Sequence, residues 1–261
     1  MIIWYTMRKI RLLLEYDGTA YQGWQIQKKG DTIQSVLEDR INKITGEQTR
    51  VIGASRTDAG VHALGQVATF RTGSKLDPQT MKRALNAVLP EDIMVLDISE
   101  VEEIFRPRQD AVRKSYFYII ANQRKSSVFL HRYSWLVIQH LDIKSMIEAA
   151  QVLIGTYDFS SFMGRGSDIK DPVREIFSLS IDKLEKIDFM TANIQGKFIK
   201  IRIEANGFLR HMVRNIVGTL VEIGRGRIPS DKIDEILESH DRKRAGQTAP
   251  PNGLFLERIE Y

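Results

Sequence analysis

The chain has 261 residues, 43% hydrophobic and 27% charged, with 38 lysines and arginines against 33 acidic residues and a net charge of +5. That length and composition support one large or two small cored domains and exclude wholesale disorder. The absence of cysteine excludes disulfide frameworks, thiolate zinc sites, iron–sulfur clusters and thiol nucleophiles.

Residues 9–16 alternate as a first strand, and a turn-rich stretch, 17–25, follows. A helix is expected from about Thr32, with Asp31 and Gln34 at capping-box spacing and Ile33, Val36, Leu37, Ile41 and Ile44 on one apolar stripe. Residues 50–54 and 66–71 read as strands around a polar segment, 55–65. Asp77 and Pro78 open a second helix with Met81, Leu85 and Val88 facing inward, and residues 93–98 form a strand. The order then repeats. Residues 115–121 read as a strand, and a helix starts after Asp142, with Leu141 and Met146 at hydrophobic-staple spacing. Strands follow at 173–181 and 198–205, then a helix over 209–223 stopped by Gly224, and a last strand at 254–259. Each half is therefore β-α-β-β-α-β, an α+β class. The division expected is 1–104, an N-terminal ferredoxin-like half, and 105–261, a crossover and C-terminal half. Two such halves can join into one extended mixed sheet with a central basic cleft.

No segment approaches the roughly 18 continuous apolar residues of a membrane helix. The apolar start, Met1 to Met7, precedes Arg8 and Lys9, the reverse of a secretory signal. A soluble, cytoplasmic protein is expected. Several enzyme signatures fail. The spacing of Gly18 and Gly23 suits a phosphate loop, but Trp24 stands where lysine is required. The five histidines include no close pair at metal-ligand spacing, so no metal is expected.

The densest polar feature is residues 53–63, GASRTDAGVHA. On an extended backbone Arg56 and Asp58 project to the same side, where a guanidinium can hold a carboxylate ionised for attack or base catalysis. The plain alternative is an aspartate that shapes a turn before Gly60. Basic residues cluster at Arg106, Arg108, Arg113 and Lys114, at Arg124 and Lys125, at Arg165 and Lys170, at Arg210 and Arg214, and from Arg225 to Arg244. Aromatic neighbours, Phe105, Tyr116, Phe117, Tyr118 and Phe208, make the combination that holds unstacked RNA. Solvated faces and core aromatics account for most of them equally well.

Residues 56–63, RTDAGVHA, resemble the catalytic motif of the TruA family of tRNA pseudouridine synthases. Further blocks resemble that family in order: 15–19 with 23–25, 105–108, 114–118, 206–208 with 212–218, and 248–250 with 253–254. The resemblance implies a pseudouridine synthase fold and isomerisation of uridine to pseudouridine in the tRNA anticodon stem-loop, at positions 38, 39 and 40. It implies a homodimer with no cofactor and no metal. It makes Asp58 the catalytic residue and Tyr116, Arg56 and Arg214 substrate-binding. It assigns tRNA contact to Phe105, Arg106, Pro107, Arg108 and Gln109 and to Gly166, Ser167, Asp168, Ile169 and Lys170. Pro107 departs from the small residue usual in the family. The rivals are a non-catalytic tRNA-binding protein on the same scaffold and a glycosidase pairing Asp17 with Asp58.

Overall fold

A computed structural model describes residues 7–164, 166 and 171–261. It divides into two compact units, one of Met1–Val112 with Leu256–Tyr261 and one of Arg113–Phe255.

In the first unit, β1 (Arg8–Tyr16), α1 (Ile33–Thr45), β2 (Ile52–Gly53), β3 (His62–Thr72), α2 (Pro78–Val88) and β4 (Ile93–Val101) follow the expected order. The sheet runs β4-β1-β3-β2 with every one of these pairs antiparallel. β1 and β2 are thus parallel strands separated by β3, the split βαβ arrangement. The inward side chains of β1, Ile10, Leu12 and Leu14, are fully buried, together with Ile33, Leu37 and Ile41 of α1. The α1 cap differs from expectation. Thr32 is the N-cap and forms a reciprocal capping box with Ser35, because the helix starts one residue later than an Asp31 cap requires. At α2, Asp77 caps Thr80 and Pro78 occupies the first helical turn, as its fixed φ allows.

The second unit holds β5 (Arg113–Ala121), β6 (Trp135–Leu136), α3 (Ile143–Val152), β7 (Gly155–Asp158), β8 (Val173–Phe189), β9 (Ala192–Ala205), α4 (Met212–Gly224) and α5 (Ile233–Glu238). Its strands lie in the order β5-β9-β8-β7, all antiparallel, with β6 parallel to β5. The last strand, β10 (Leu254–Glu260), has its first two residues in this unit and the rest in the first. Asp142 caps α3, and Leu141 and Met146 are both buried, as the staple predicts.

Two elements depart from the sequence reading. β8 and β9 run well beyond 181 and before 198 as one long hairpin turning at Met190. Its outer part buries Leu184, Ile187 and Ile194 only partly, against Ala121, Leu130 and Phe198, so its alternation is diluted by charge. α4 starts at Met212, not 209, because His211 adopts a left-handed φ of 60° as its N-cap. Gly224 is the last helical residue rather than the stop, and the left-handed position falls at Gly226.

α4 is buried along almost its whole length. A Cβ on Gly218 would lie 1.7 Å from the carbonyl oxygen of Gln247. Glycine in a helix interior ordinarily costs up to about 1 kcal/mol relative to alanine. Here the sign reverses: Gly218→Ala is expected to lower the unfolding free energy by about 1–3 kcal/mol through overpacking, measured by urea denaturation.

Candidate active site

The polar segment 55–61 leaves the sheet between β2 and β3, and neighbouring backbone and side chains supply its hydrogen bonds. Ala54 N–H still donates to the Val67 carbonyl at 2.8 Å, continuing the β2–β3 ladder. One residue further, Ser55 turns instead to the Gln66 side chain. Its N–H donates to Oε1 at 3.1 Å and its carbonyl accepts from Nε2 at 2.7 Å. The Thr57 carbonyl accepts from the Trp24 N–H at 3.0 Å, Gly60 N–H donates to the Tyr21 carbonyl, and Val61 N–H closes a turn on the Asp58 carbonyl at 3.1 Å. The Thr57 hydroxyl is 2.8 Å from the Tyr16 hydroxyl, which also receives a longer bond from Gln66 Nε2 at 3.4 Å. Tyr16 is buried, and that burial pushes its phenol up to about 12 while the Thr57 and Gln66 hydrogen bonds pull the other way.

The turn-rich 17–25 segment packs directly against this loop. Gly23 has φ 88°, and a Cβ on it would lie 2.6 Å from the Thr57 carbonyl oxygen, so no side chain fits between the two segments. Asp17 accepts from the Thr19 N–H and hydroxyl, and its carboxylate lies 3.0 Å from Nδ1 of the buried His62. That arrangement caps the short turn over residues 18–20. Asp58 is half-buried on the loop, and Arg56 is exposed. The expected Arg56–Asp58 ion pair does not form: Arg56 has no ion-pair partner among the described residues.

Tyr116 and Arg214 belong to the second unit. Tyr116 lies on β5 opposite Ile203, 5% exposed, with Phe208 edge-on at 5.2 Å. Tyr118, two residues along on the same face, donates to the Pro250 carbonyl at 2.8 Å. Burial raises its phenol, and the nearby Arg214 guanidinium acts in the opposite direction. Arg214, in the first turn of α4, donates Nε–H to the Ala249 carbonyl at 2.8 Å, and Ala249 N–H returns a bond to the Arg214 carbonyl at 3.0 Å. Asn215 Nδ2 reaches the Phe162 carbonyl, while its oxygen accepts from Arg242 and Thr248. The late signature 248–250 is therefore the segment against which the Arg214 helix is anchored. Tyr116 and Arg214 thus converge on one part of the second unit, around Tyr118, and Asp58 and Arg56 share one loop of the first.

In the crossover, Arg106, Arg108 and Gln109 are exposed, Phe105 is half-buried and Pro107 is buried. Phe105 packs on Tyr261 at 4.9 Å, and the Pro107 carbonyl accepts from the Tyr261 hydroxyl at 2.8 Å. The proline therefore sits in an ordered turn against the end of the chain. Of the loop at 166–170, Gly166 is exposed with φ 73°; Ser167, Asp168, Ile169 and Lys170 lie outside the described residues, as does Arg165. Other basic residues serve the fold. Arg113 pairs with Glu204 and lies over the Phe177 ring, Arg225 and Arg227 both pair with Glu222, and Arg244 pairs with Glu235.

The sequence reading passed over Tyr16, Thr57 and Gln66 as a group. The available signal was Gln66 itself, an amide at the head of the apolar run Val67-Ala68-Thr69-Phe70.

Among the described residues no three histidine, aspartate or glutamate side chains are grouped to hold a metal ion, and no helix is long and apolar enough to cross a membrane. Comparison with known proteins agrees with the motif. The family described as tRNA pseudouridine synthase matches residues 13–108 and 149–261. The chain is similar to "tRNA pseudouridine synthase A" of Thermoanaerobacter sp. (strain X514), 48% identical over 98% of this chain and 100% of that protein. It is similar to the proteins of the same name from Thermodesulfovibrio yellowstonii, at 45% identity, and Caldicellulosiruptor saccharolyticus, at 44%, with the same coverage of both chains. Its α+β halves, its ordered Asp58 loop and this full-length similarity have one reading: the chain belongs to the tRNA pseudouridine synthase family, enzymes that isomerise uridine within tRNA.

Proposed function

We propose that this chain isomerises uridine to pseudouridine in the anticodon stem-loop of tRNA, at positions 38, 39 and 40, with Asp58 as the catalytic carboxylate. The observation that carries the reading is the loop itself. Asp58 is a half-buried carboxylate in a segment with no regular structure, whose backbone is nonetheless fixed from below by Trp24, Tyr21 and Gln66. A rigid mount of that kind serves a reacting group better than it serves a simple turn.

The reaction breaks the C1′–N1 bond of uridine, turns the base, joins C5 to C1′ and moves a proton from C5 to solvent while N1 gains one. No electrons are gained or lost and no group leaves the nucleotide, so the chemistry calls for a nucleophile or base rather than a redox cofactor. Asp58 can attack C1′, attack C6 or deprotonate the sugar, and each route uses an ionised carboxylate in contact with the nucleotide. Tyr116, its ring held by Phe208, packs on the detached base and assists the departure of the C5 proton. Arg56 and Arg214 bind the nucleotide's phosphates. A stacked or paired uridine must leave the helix to reach these groups, so base flipping and its unstacking cost are part of the reading.

Phe105, Arg106, Pro107, Arg108 and Gln109 contact the tRNA, with Arg106 and Arg108 facing solvent and Pro107 fixing the turn that presents them. The loop that includes Gly166, Ser167, Asp168, Ile169 and Lys170 is assigned to the same contact. The protein works in the cytoplasm as a homodimer. Exposed apolar side chains in the second unit, Val128, Phe129 and Met190, are consistent with a covered surface there.

Unmodified tRNA transcript incubated with the enzyme and mapped by carbodiimide adducts and primer extension tests the reading. Asp58→Asn is expected to lower pseudouridine formation by at least about 100-fold, with tRNA binding largely kept; product formed at the normal rate overturns the role of Asp58. Free uracil among the products identifies a glycosylase instead. Arg108→Ala is expected to weaken tRNA binding and reduce the slope of log affinity against log salt by about one; an unchanged slope removes Arg108 from the phosphate footprint.

A further inference from the structure

We infer that Gln66 and Tyr16 are positioning residues for the isomerisation, acting through Ser55 and Thr57 to hold the segment that bears Asp58. The inference rests on the reading of Asp58 as the reacting carboxylate.

The argument begins with a backbone problem. β2 and β3 pair at Ile52 with Thr69 and Gly53 with Ala68, and Ala54 N–H reaches the Val67 carbonyl. Continued one residue, the ladder would pair Ser55 with residue 66 and carry Arg56, Thr57 and Asp58 along β3 as ordinary strand. The chain leaves at Ser55 instead. In an antiparallel ladder the residue after a hydrogen-bonded pair turns its N–H and C=O away from the partner strand, so the part-buried donor and acceptor of Ser55 need partners of another kind. The Gln66 amide supplies both, because a carboxamide is a side chain that offers an acceptor and a donor side by side, as a peptide group does. It therefore ends the ladder at a defined residue and sets where the loop begins.

The second amide hydrogen of Gln66 extends the restraint. It points to the Tyr16 oxygen, which in turn shares a hydrogen bond with Thr57 Oγ1. The two residues flanking Arg56 are thereby fixed by one connected set of bonds, and Thr57 is the residue immediately before Asp58. Gln66 is 0% exposed, and an amide at that depth is tolerated only when its bonds are made. β3 helps to aim it: between the pairs Leu14–Gln66 and Tyr16–Ala63, β3 carries one residue more than β1. Such a bulge re-aims the side chains beside it. None of the Gln66, Tyr16 and Thr57 side chains need touch the nucleotide. They fix the height and direction of the Asp58 backbone above the sheet.

The test is single-turnover pseudouridine formation on unmodified tRNA transcript at saturating enzyme, with tRNA affinity and melting temperature measured on the same proteins. Gln66→Met is expected to lower the rate about 100-fold. Tyr16→Phe and Thr57→Val, which each remove one hydroxyl and keep the shape, are expected to lower it about 10-fold, with affinity within about twofold. Thr57→Ser, which restores the hydroxyl, recovers most of the Thr57→Val loss. The Tyr16→Phe/Thr57→Val double variant is expected to lose no more than either single one, since both remove the same bond. If Gln66→Met does not fold, the Tyr16 and Thr57 variants carry the test alone. Full rates in those variants, with only the melting temperature lowered, overturn the inference. Asp58→Asn run in parallel separates the two claims: an inactive Asp58→Asn beside fully active Tyr16 and Thr57 variants rejects the positioning role alone, whereas an active Asp58→Asn rejects the reading beneath it.

Discussion

A backbone that leaves a sheet while still buried must find a partner for every N–H and C=O it takes with it. That constraint organises the first unit. Where the segment 55–61 is buried or part-buried it meets that demand without regular structure, drawing on Gln66 for Ser55 and on Trp24 and Tyr21 for Thr57 and Gly60. The 17–25 stretch is therefore shaped by the loop it supports. Its glycine at position 23 is there because a backbone, not a side chain, has to lie against Thr57. Trp24 is buried beneath, so the donor it offers is anchored in the core. The loop is irregular in outline, yet its hydrogen bonds tie it to two separate parts of the unit.

The second unit meets a similar demand by a different device. α4 and the segment that follows Arg242 hold one another through side chains as well as backbone: Thr219 receives the Gly246 N–H, Asn215 accepts from the Thr248 hydroxyl, and Arg214 and Ala249 exchange a pair of bonds. Charge is used the same way. Glu204, largely buried on β9, gathers Arg113, Arg202, Ser115 and Ser178, and Glu222 gathers Arg225 and Arg227. A buried carboxylate is tolerable when it is paired and hydrogen-bonded. Part of the chain's arginine is thus engaged internally, and the count of basic residues overstates how many are left to meet a polyanion.

The order of elements was legible because local signals and global placement agreed. Pro78 behind Asp77, the staple of Leu141 with Met146, and the alternation of β1 all report a side chain's own neighbourhood. What escaped has common causes. The outer β8–β9 hairpin alternates with Lys183, Glu185, Lys186 and Asp188, so its period-2 signal is faint over a half-solvated ribbon. β6 and β7 are too short to show a period, and α5 is six residues long. His211 in a left-handed conformation cannot be read from its type, so the start of α4 was misplaced. The Asp58 loop stood out by its motif, but its supports did not. Tyr16 and Gln66 lie 50 residues apart, and only the sheet brings them together. The expected Arg56–Asp58 pair failed for the complementary reason: alternate spacing guides two side chains together on a regular strand, and residues 56–58 lie in none, between a bend at 54–55 and a turn at 59–60.

The last strand has a consequence for how the protein comes into being. Residues 256–261 belong to the first unit, yet they are synthesised after the whole of residues 113–255. At ordinary translation speed that interval lasts roughly seven to thirty seconds. Throughout it, β3 lacks the strand that lies beside it in the finished sheet, and an unpaired strand edge invites pairing with other chains. The first half made is the last half completed. A ribosome that stalls late, or a protease that trims the final residues, would leave the Asp58 loop in a unit whose sheet is one strand short.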